Sequence, residues 1–368
     1  MADTAGLAQV RTSFPDGSQP AFWLGRLGHV SGLKYSRVLP GGAEALSCTL
    51  AKPPSFRHPA MDPGRIVEVC LGGSIVWRGK ATEPQSSKAG WTISAIGDGV
   101  KGADYRAYYT AWNQNNPLDQ AIGRGLQWNK PSFGSSGLWL SQPPDPASIT
   151  ITDFLNLITS SGGSTWYVDR YNTLQIVTFP LVTSAPTRLL VATEAVSRTV
   201  AADVNWLWER YQATADNVNT GATASYSTTS SSVPGANRHQ QQEDYLDLSS
   251  AGVISGSTAQ AAGNAILAKY QRANWGQPFT VPFGRYLNAG GVAVHPAAER
   301  EGEICKLLVT DAGYGGEVVP VPVVFVVGRV EVDIDARVLT VEPYQAVTTS
   351  LSGMMQAVTN ALTISATA

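Results

Sequence analysis

The segment VVGRVEVDIDARVLTVEPYQ, residues 326–345, constrains the fold more than any other stretch. Read with period two, Val330, Val332 and Ile334 fall on one face, and Glu331, Asp333 and Asp335 on the other. Such alternation marks a strand with one buried and one wet face. A turn at Asp335-Ala336 sets Val332 across from Leu339 and Val330 across from Val341. The apolar faces of both strands then coincide, as cross-strand pairing requires. Pro343 cannot donate to the ladder and closes it. An antiparallel hairpin of a half-wet sheet follows.

The same grammar recurs upstream. In MDPGRIVEVCLGGSIVWRGKATEP, residues 61–84, Gly72-Gly73 is a hairpin turn between two strands. Pro40-Gly41-Gly42 marks another turn, and AGWTISAIGDG a further strand. Residues about 20–100 therefore read as one small β-barrel or sandwich. Residues 301–330 repeat the outline of residues 63–79: Gly-x-Ile, an alternating strand, a turn, and an apolar return strand ending in Gly. Two related β units in one chain are one explanation of that echo.

Between them the pattern changes. Asn116-Pro117 starts a helix, with Leu118, Ile122 and Leu126 on one face. Thr152 is a candidate cap for DFLNLITSSGG, with Gly162 as its stop. STWYVDRYNTLQIVTF reads as a hairpin about Tyr171-Asn172, and residues 201–214 as a strand. The Ser/Thr/Gln-rich stretch 215–243 is an exposed loop or long hairpin, and residues 257–273 a helix with Ala262, Ile266 and Tyr270 on one face. Leu351, Met354, Met355, Val358 and Leu362 have helical spacing in residues 346–368, on a segment with no charge opposite.

Only 15% of the chain is charged, against about 25% in an average protein. A surface so poor in charge fits a subunit covered by neighbours. The net charge of −2 argues against a basic face reading nucleic-acid phosphates. Cys48, Cys70 and Cys305 show no CxxC spacing and read as small core residues. The N-terminus lacks a basic-then-apolar signal pattern and no run of 18 apolar residues occurs. The expectation is synthesis in a cytoplasm, with no membrane span. His29, His58, His239 and His295 have no metal-ligand spacing, and no GxSxG, Walker or GxGxxG motif occurs. Neither a cofactor nor an enzymatic role is expected. Tyr105, Tyr108, Tyr109, Trp112, Trp128 and Trp139 crowd into 35 residues. They read either as a glycan-binding patch or as anchors in a core or subunit interface.

Four stretches, taken in order, resemble the trimeric tail-tip or baseplate hub proteins of long-tailed bacteriophages, often called minor tail proteins. DPGRIVEVCLGGSIVWRGKATEP is similar to the first barrel hairpin of that family. ITDFLNLITSSGGSTWYVDRYNTLQIV is similar to its middle helix and ribbon. LDLSSAGVISGSTAQAAGNAILAKY is similar to its second helix, and VVGRVEVDIDARVLTVEP to its closing hairpin. The resemblance implies a mainly β fold with α+β inserts. It implies a first hub barrel in 1–100, a middle α+β region in 101–200, a second barrel in 201–345 and a C-terminal helix in 346–368. It further implies a homotrimer whose two barrels per chain make a pseudo-sixfold ring at the virion tail tip. That ring joins distal tail and tail tube proteins to a spike, fibres or other minor tail proteins, and admits the tape-measure C-terminus and DNA. Under this reading Glu331, Asp333 and Asp335 face the lumen; the alternative is plain solvated polarity. A sixfold distal tail protein or a glycan-binding adsorption module is the other reading of the whole chain.

Overall fold

The computed structural model describes residues 8–15, 17–18, 20–106, 128, 149–161, 164–178, 185–192, 210–217, 222–229, 243–247, 278–295, 302–309 and 323–344. The fold is mainly β. The N-terminal strands are β1 (Ala8–Ser13), β2 (Phe22–Trp23), β3 (Val30–Val38), β4 (Gly41–Leu50), β5 (Ile66–Leu71), β6 (Ser74–Ala81), β7 (Gln85–Ser87) and β8 (Gly90–Gly97). They pair in the order β3-β4-β8-β6-β5-β1-β2. Gly72 and Gly73 join β5 to β6 at φ +53° and +86°, the twist that a two-residue hairpin loop needs.

A helix and a ribbon follow. Helix α1 (Ile151–Ser161) is capped two residues earlier than Thr152, at Thr150. The Asp153 N–H donates to the Thr150 hydroxyl at 3.1 Å, and that hydroxyl donates to the Asp153 carboxylate at 2.7 Å. This reciprocal cap satisfies an orphan N–H of the first turn. Ile151, Phe154, Leu155 and Ile158 then share one fully buried face. Strands β9 (Ser164–Val168) and β10 (Leu174–Thr178) form the expected hairpin, with Asn172 at φ +62° in its loop. The middle unit attaches through β9, whose Tyr167 and Val168 pair in parallel with Gly41 and Gly42 of β4.

The remaining strands are β11 (Arg188–Ala192), β12 (Arg210–Asn217), β13 (Ala222–Thr229), β14 (Glu243–Asp247), β15 (Phe279–Pro282), β16 (Tyr286–Asn288), β17 (Ile304–Val309), β18 (Val323–Asp333) and β19 (Val338–Pro343). Strands β12, β13 and β14 form a three-stranded sheet of their own. The Ser/Thr-rich stretch is thus in part a hairpin, and the strand expected from residue 201 is described from Arg210. The expected helices at 116–126, 257–273 and 346–368, with Leu351, Met354, Met355, Val358 and Leu362, lie outside the described residues.

Strand β18 holds the molecule together. One of its edges pairs with β19. The other pairs with β17 through Val323–Val326 and then with β3 through Arg329–Asp333. The strands of both ends of the chain therefore share one 16-stranded sheet and one apolar core. Val330, Val332, Leu339 and Val341 meet Leu46, Trp77 and Ile93 there. The hairpin register is the one expected, Val330 opposite Val341 and Val332 opposite Leu339.

The sequence echo is a structural repeat. The orders β4-β8-β6-β5-β1 and β15-β19-β18-β17-β11 correspond strand for strand. Gly64 and Gly302 stand at φ +80° and +84° before the Ile strands. The Gly64 N–H donates to the Ala81 carbonyl (2.8 Å) and the Ala81 N–H to that of Arg65 (2.7 Å); Gly302, Val327 and Glu303 repeat this at 2.8 and 2.9 Å. Ala81 thus corresponds to Val327, so Gly79 and Gly328, paired in the sequence echo, do not correspond. The units also differ at one edge, where β1 runs antiparallel to β5 but β11 parallel to β17.

Gly328 sits where β18 changes partner. Its carbonyl accepts the Leu39 N–H at 2.7 Å. A Cβ there would lie 2.5 Å from the Tyr344 Cα and 2.8 Å from its N. Backbone cannot yield as a side-chain tip can, so Gly328→Ala is expected to cost about 2–4 kcal/mol. Gly284→Ala, whose Cβ meets nothing within 4 Å, is expected to be neutral. Urea unfolding of the two variants checks this.

Candidate assembly surface

The outer face of the joined sheet carries the closing hairpin's acids. β-pairing aligns Arg329, Glu331 and Asp333 of β18 with Val38, Ser36 and Lys34 of β3, and with Glu342, Thr340 and Val338 of β19. Arg329 is the centre. Its Nε donates to Glu44 of β4 and its Nη1 to Glu342, both at 2.9 Å, and Glu331 lies 3.5 Å from Nη2. One guanidinium thereby ties β4, β18 and β19. Partial burial opposes its charge, but the Glu44 and Glu342 hydrogen bonds outweigh it and hold the Arg329 pKa above the ordinary value.

The three acids named from the sequence stand in different surroundings. Glu331 is 44% exposed beside Arg329. Asp333 is largely covered and pairs with the Lys34 ammonium at 2.7 Å. Its other oxygen accepts the Ala336 N–H at 2.9 Å, which fixes the hairpin turn. Asp335 accepts the Gly32 N–H. Burial works to raise the Asp333 pKa, but Lys34 and the turn N–H groups prevail and lower it. Four carboxylates (Glu44, Glu331, Asp333 and Glu342) share Lys34 and Arg329, and Asp335 accepts a backbone N–H, so the face stays net acidic while most of its charges are paired. Towards β8 the face becomes hydroxylic, Ser47 opposite Ser94 and Thr49 opposite Thr92. Thr280 and Thr340 meet at 2.9 Å on the far side. Sequence reading found the acids of β18 but missed Glu44 and Lys34, which lie far away in the chain.

A second ionic chain lies beneath the N-terminal strands. Arg11 donates to Glu68 at 2.6 Å, Arg78 stands 3.8 Å from Glu68 and 3.7 Å from Asp98, and Lys101 pairs with Asp98. Burial lowers the Lys101 pKa despite Asp98. This chain braces β1, β5 and β6 against the segment leading to the middle unit.

Of the expected aromatic cluster, two residues are described. Trp128 is 6% exposed and packs on Trp166, ring centres 6.1 Å apart. Its indole N–H donates to the Asp98 carbonyl at 3.2 Å. Trp128 is therefore an internal anchor between the N-terminal strands and the middle unit, with no open ring face for a sugar. Tyr105 is half-buried, and its carbonyl accepts the Ile151 N–H at 2.9 Å. Tyr108, Tyr109, Trp112 and Trp139 lie outside the described residues. Cys48, Cys70 and Cys305 form no disulfide among the described residues, and all are buried as expected; burial raises the Cys48 thiol to about 12. Among the described residues no group of His, Cys, Asp or Glu could hold a metal ion, and no helix is long and apolar enough to cross a membrane.

No family model matches the sequence, and no curated protein matches it. Solved structures do. The 43 kDa tail protein of prophage MuSo2 from Shewanella oneidensis aligns with 92% of this chain and 99% of its own, at 14% identity and TM-score 0.55. A tail protein from Neisseria meningitidis aligns over 93% and 97%, at 13% identity and TM-score 0.53. The prophage tail protein gp18 from Listeria monocytogenes aligns over 96% and 99%, at 10% identity and TM-score 0.57. The chain thus has, over nearly its full length, the fold of phage tail proteins.

Two outcomes test the surface. Arg329→Ala leaves three carboxylates together at the junction and is expected to cost about 1–2 kcal/mol in urea unfolding. Asp333→Asn keeps the turn acceptor but loses the ion pair. A depressed carboxyl pKa stabilises above the unfolded value of about 3.9 and ceases to as pH falls through the folded value. The melting-temperature gap between the parent and Asp333→Asn is therefore expected to close between about pH 5 and pH 3.

Proposed function

We propose that this chain is the structural hub of a bacteriophage tail tip. The observation that carries this reading is the repeat in the sheet, with Gly64 and Gly302 in the same conformation and the same bond pattern. Two like units in one chain let three chains present six like surfaces. A threefold assembly can then meet a sixfold one. The first unit is assigned to residues 1–100 and the second to 201–345, which β11 (Arg188–Ala192) joins from the end of a middle α+β region in 101–200; a C-terminal helix is assigned to 346–368. The likeness to whole tail proteins and the low charge fraction support a subunit buried in an assembly.

In this arrangement the homotrimer sits at the virion tail tip and is assembled in the host cytoplasm. Distal tail and tail tube proteins lie above it. A spike, fibres or other minor tail proteins lie below. The tape-measure C-terminus and then DNA pass through the ring. The face bearing Glu331, Asp333 and Asp335 lines that passage. Its paired charges give few free cations to hold phosphate, and its residual acidity repels DNA. The role is non-enzymatic.

Light scattering after size exclusion tests the reading at micromolar concentration. A mass of three chains is expected. Six chains would overturn the hub in favour of a sixfold distal tail ring.

A further inference from the structure

Two strands of the N-terminal unit end in a gap. On the side of β1 opposite β5, β2 pairs only with Arg11 and Thr12. Beyond Trp23 the chain winds into a 3-10 turn, Leu24–Arg26, instead of continuing the ladder. Ala8–Val10 thus have no strand on that side among the described residues. On the side of β3 opposite β4, β18 pairs only from Lys34 to Val38. Val30–Leu33 are left with two contacts from the hairpin tip: the Ile334 N–H donates to the Leu33 carbonyl at 3.0 Å, and the Asp335 carboxylate accepts the Gly32 N–H. Both strand ends line one groove of about 680 Å³, with Trp23, Arg26, His29 and Asp335 among its walls.

We propose that this groove binds an extended acidic peptide segment, which adds to the free side of β1 and closes the slit between β1 and β3. The β1 wall offers the backbone N–H and C=O groups of Ala8–Val10 that face away from β5, the partners an extended chain satisfies, while the β3 wall, its Gly32 N–H and Leu33 C=O held by the hairpin tip, closes the other side. The rim sets the charge. Arg26 and His29 are exposed and have no acidic partner among the described residues, and the one carboxylate of the lining, Asp335, stands apart from them at the hairpin tip, where it accepts the Gly32 N–H. A sugar is the poorer occupant, because the Arg11 guanidinium lies 5.5 Å over the Trp23 ring that would have to stack on it. The segment acts as the missing strand of the unit, so its sequence is read by charge and alternation more than by deep pockets.

Calorimetry on the full chain tests this with an acetylated, amidated hexapeptide of alternating Glu and Val. Binding at low salt is expected, weakened about 10-fold or more by Arg26→Glu. The same peptide N-methylated at every residue is expected not to bind, since neither of its edges keeps a donor for β1. Arg26 and His29 are exposed, so Arg26→Glu and His29→Ala leave the fold intact, which circular dichroism verifies. Absence of hexapeptide binding, equal binding of the N-methylated form, or indifference to Arg26→Glu would each overturn the proposal. So would binding of maltohexaose, lost in Arg26→Glu, in place of the peptide.

Discussion

The change of partner along β18 at Gly328 is the constraint on which the rest of the fold depends. Before it, the strand belongs to β17 and the C-terminal unit; after it, to β3 and the N-terminal unit. The Leu39 N–H bond to the Gly328 carbonyl and the close approach of Tyr344 leave room for no side chain at the crossing. A register slip would turn Val330 and Val332 outward and bury Glu331 and Asp333.

Magnitudes show which forces hold the junction. Val330, Val332, Leu339 and Val341 are at most 1% exposed, and each such burial contributes about 1.5–3 kcal/mol. The part-exposed ion network around Arg329 contributes less, since exposed pairs are worth about 0.2–1 kcal/mol each. The network's larger effect is on orientation. It binds β4, β18 and β19 on the outer face and settles which carboxylates keep free charge. The surface offered to partners is thus set by pairing within the chain before any partner arrives.

The same logic separates the two candidate surfaces. The outer face is built of strands paired edge to edge, β19-β18-β3-β4-β8, and is rich in hydroxyls, which suits a wall past which other molecules slide. The groove beside β1 and β3 is incomplete, with strand ends left on both sides, which suits a place where something stays. Of the two readings the sequence left open for Trp128, its burial agrees with the core anchor, at the joint between units.

The closing hairpin and its register were legible in the sequence, because period-two alternation and a short connection leave one pairing that buries Val330, Val332, Leu339 and Val341 together. The β5–β6 turn was legible for a related reason, as two glycines supply the positive φ the loop requires. The cap of α1 was misplaced by two residues, since Thr150 and Thr152 offer the same hydroxyl and only backbone geometry selects between them. The edge switch at Gly328, the Arg329 partnership with Glu44 and the gap between β1 and β3 came from the tertiary structure alone. Each joins residues distant in the chain, and local pattern records which face of a strand is buried but not which strand will lie beside it.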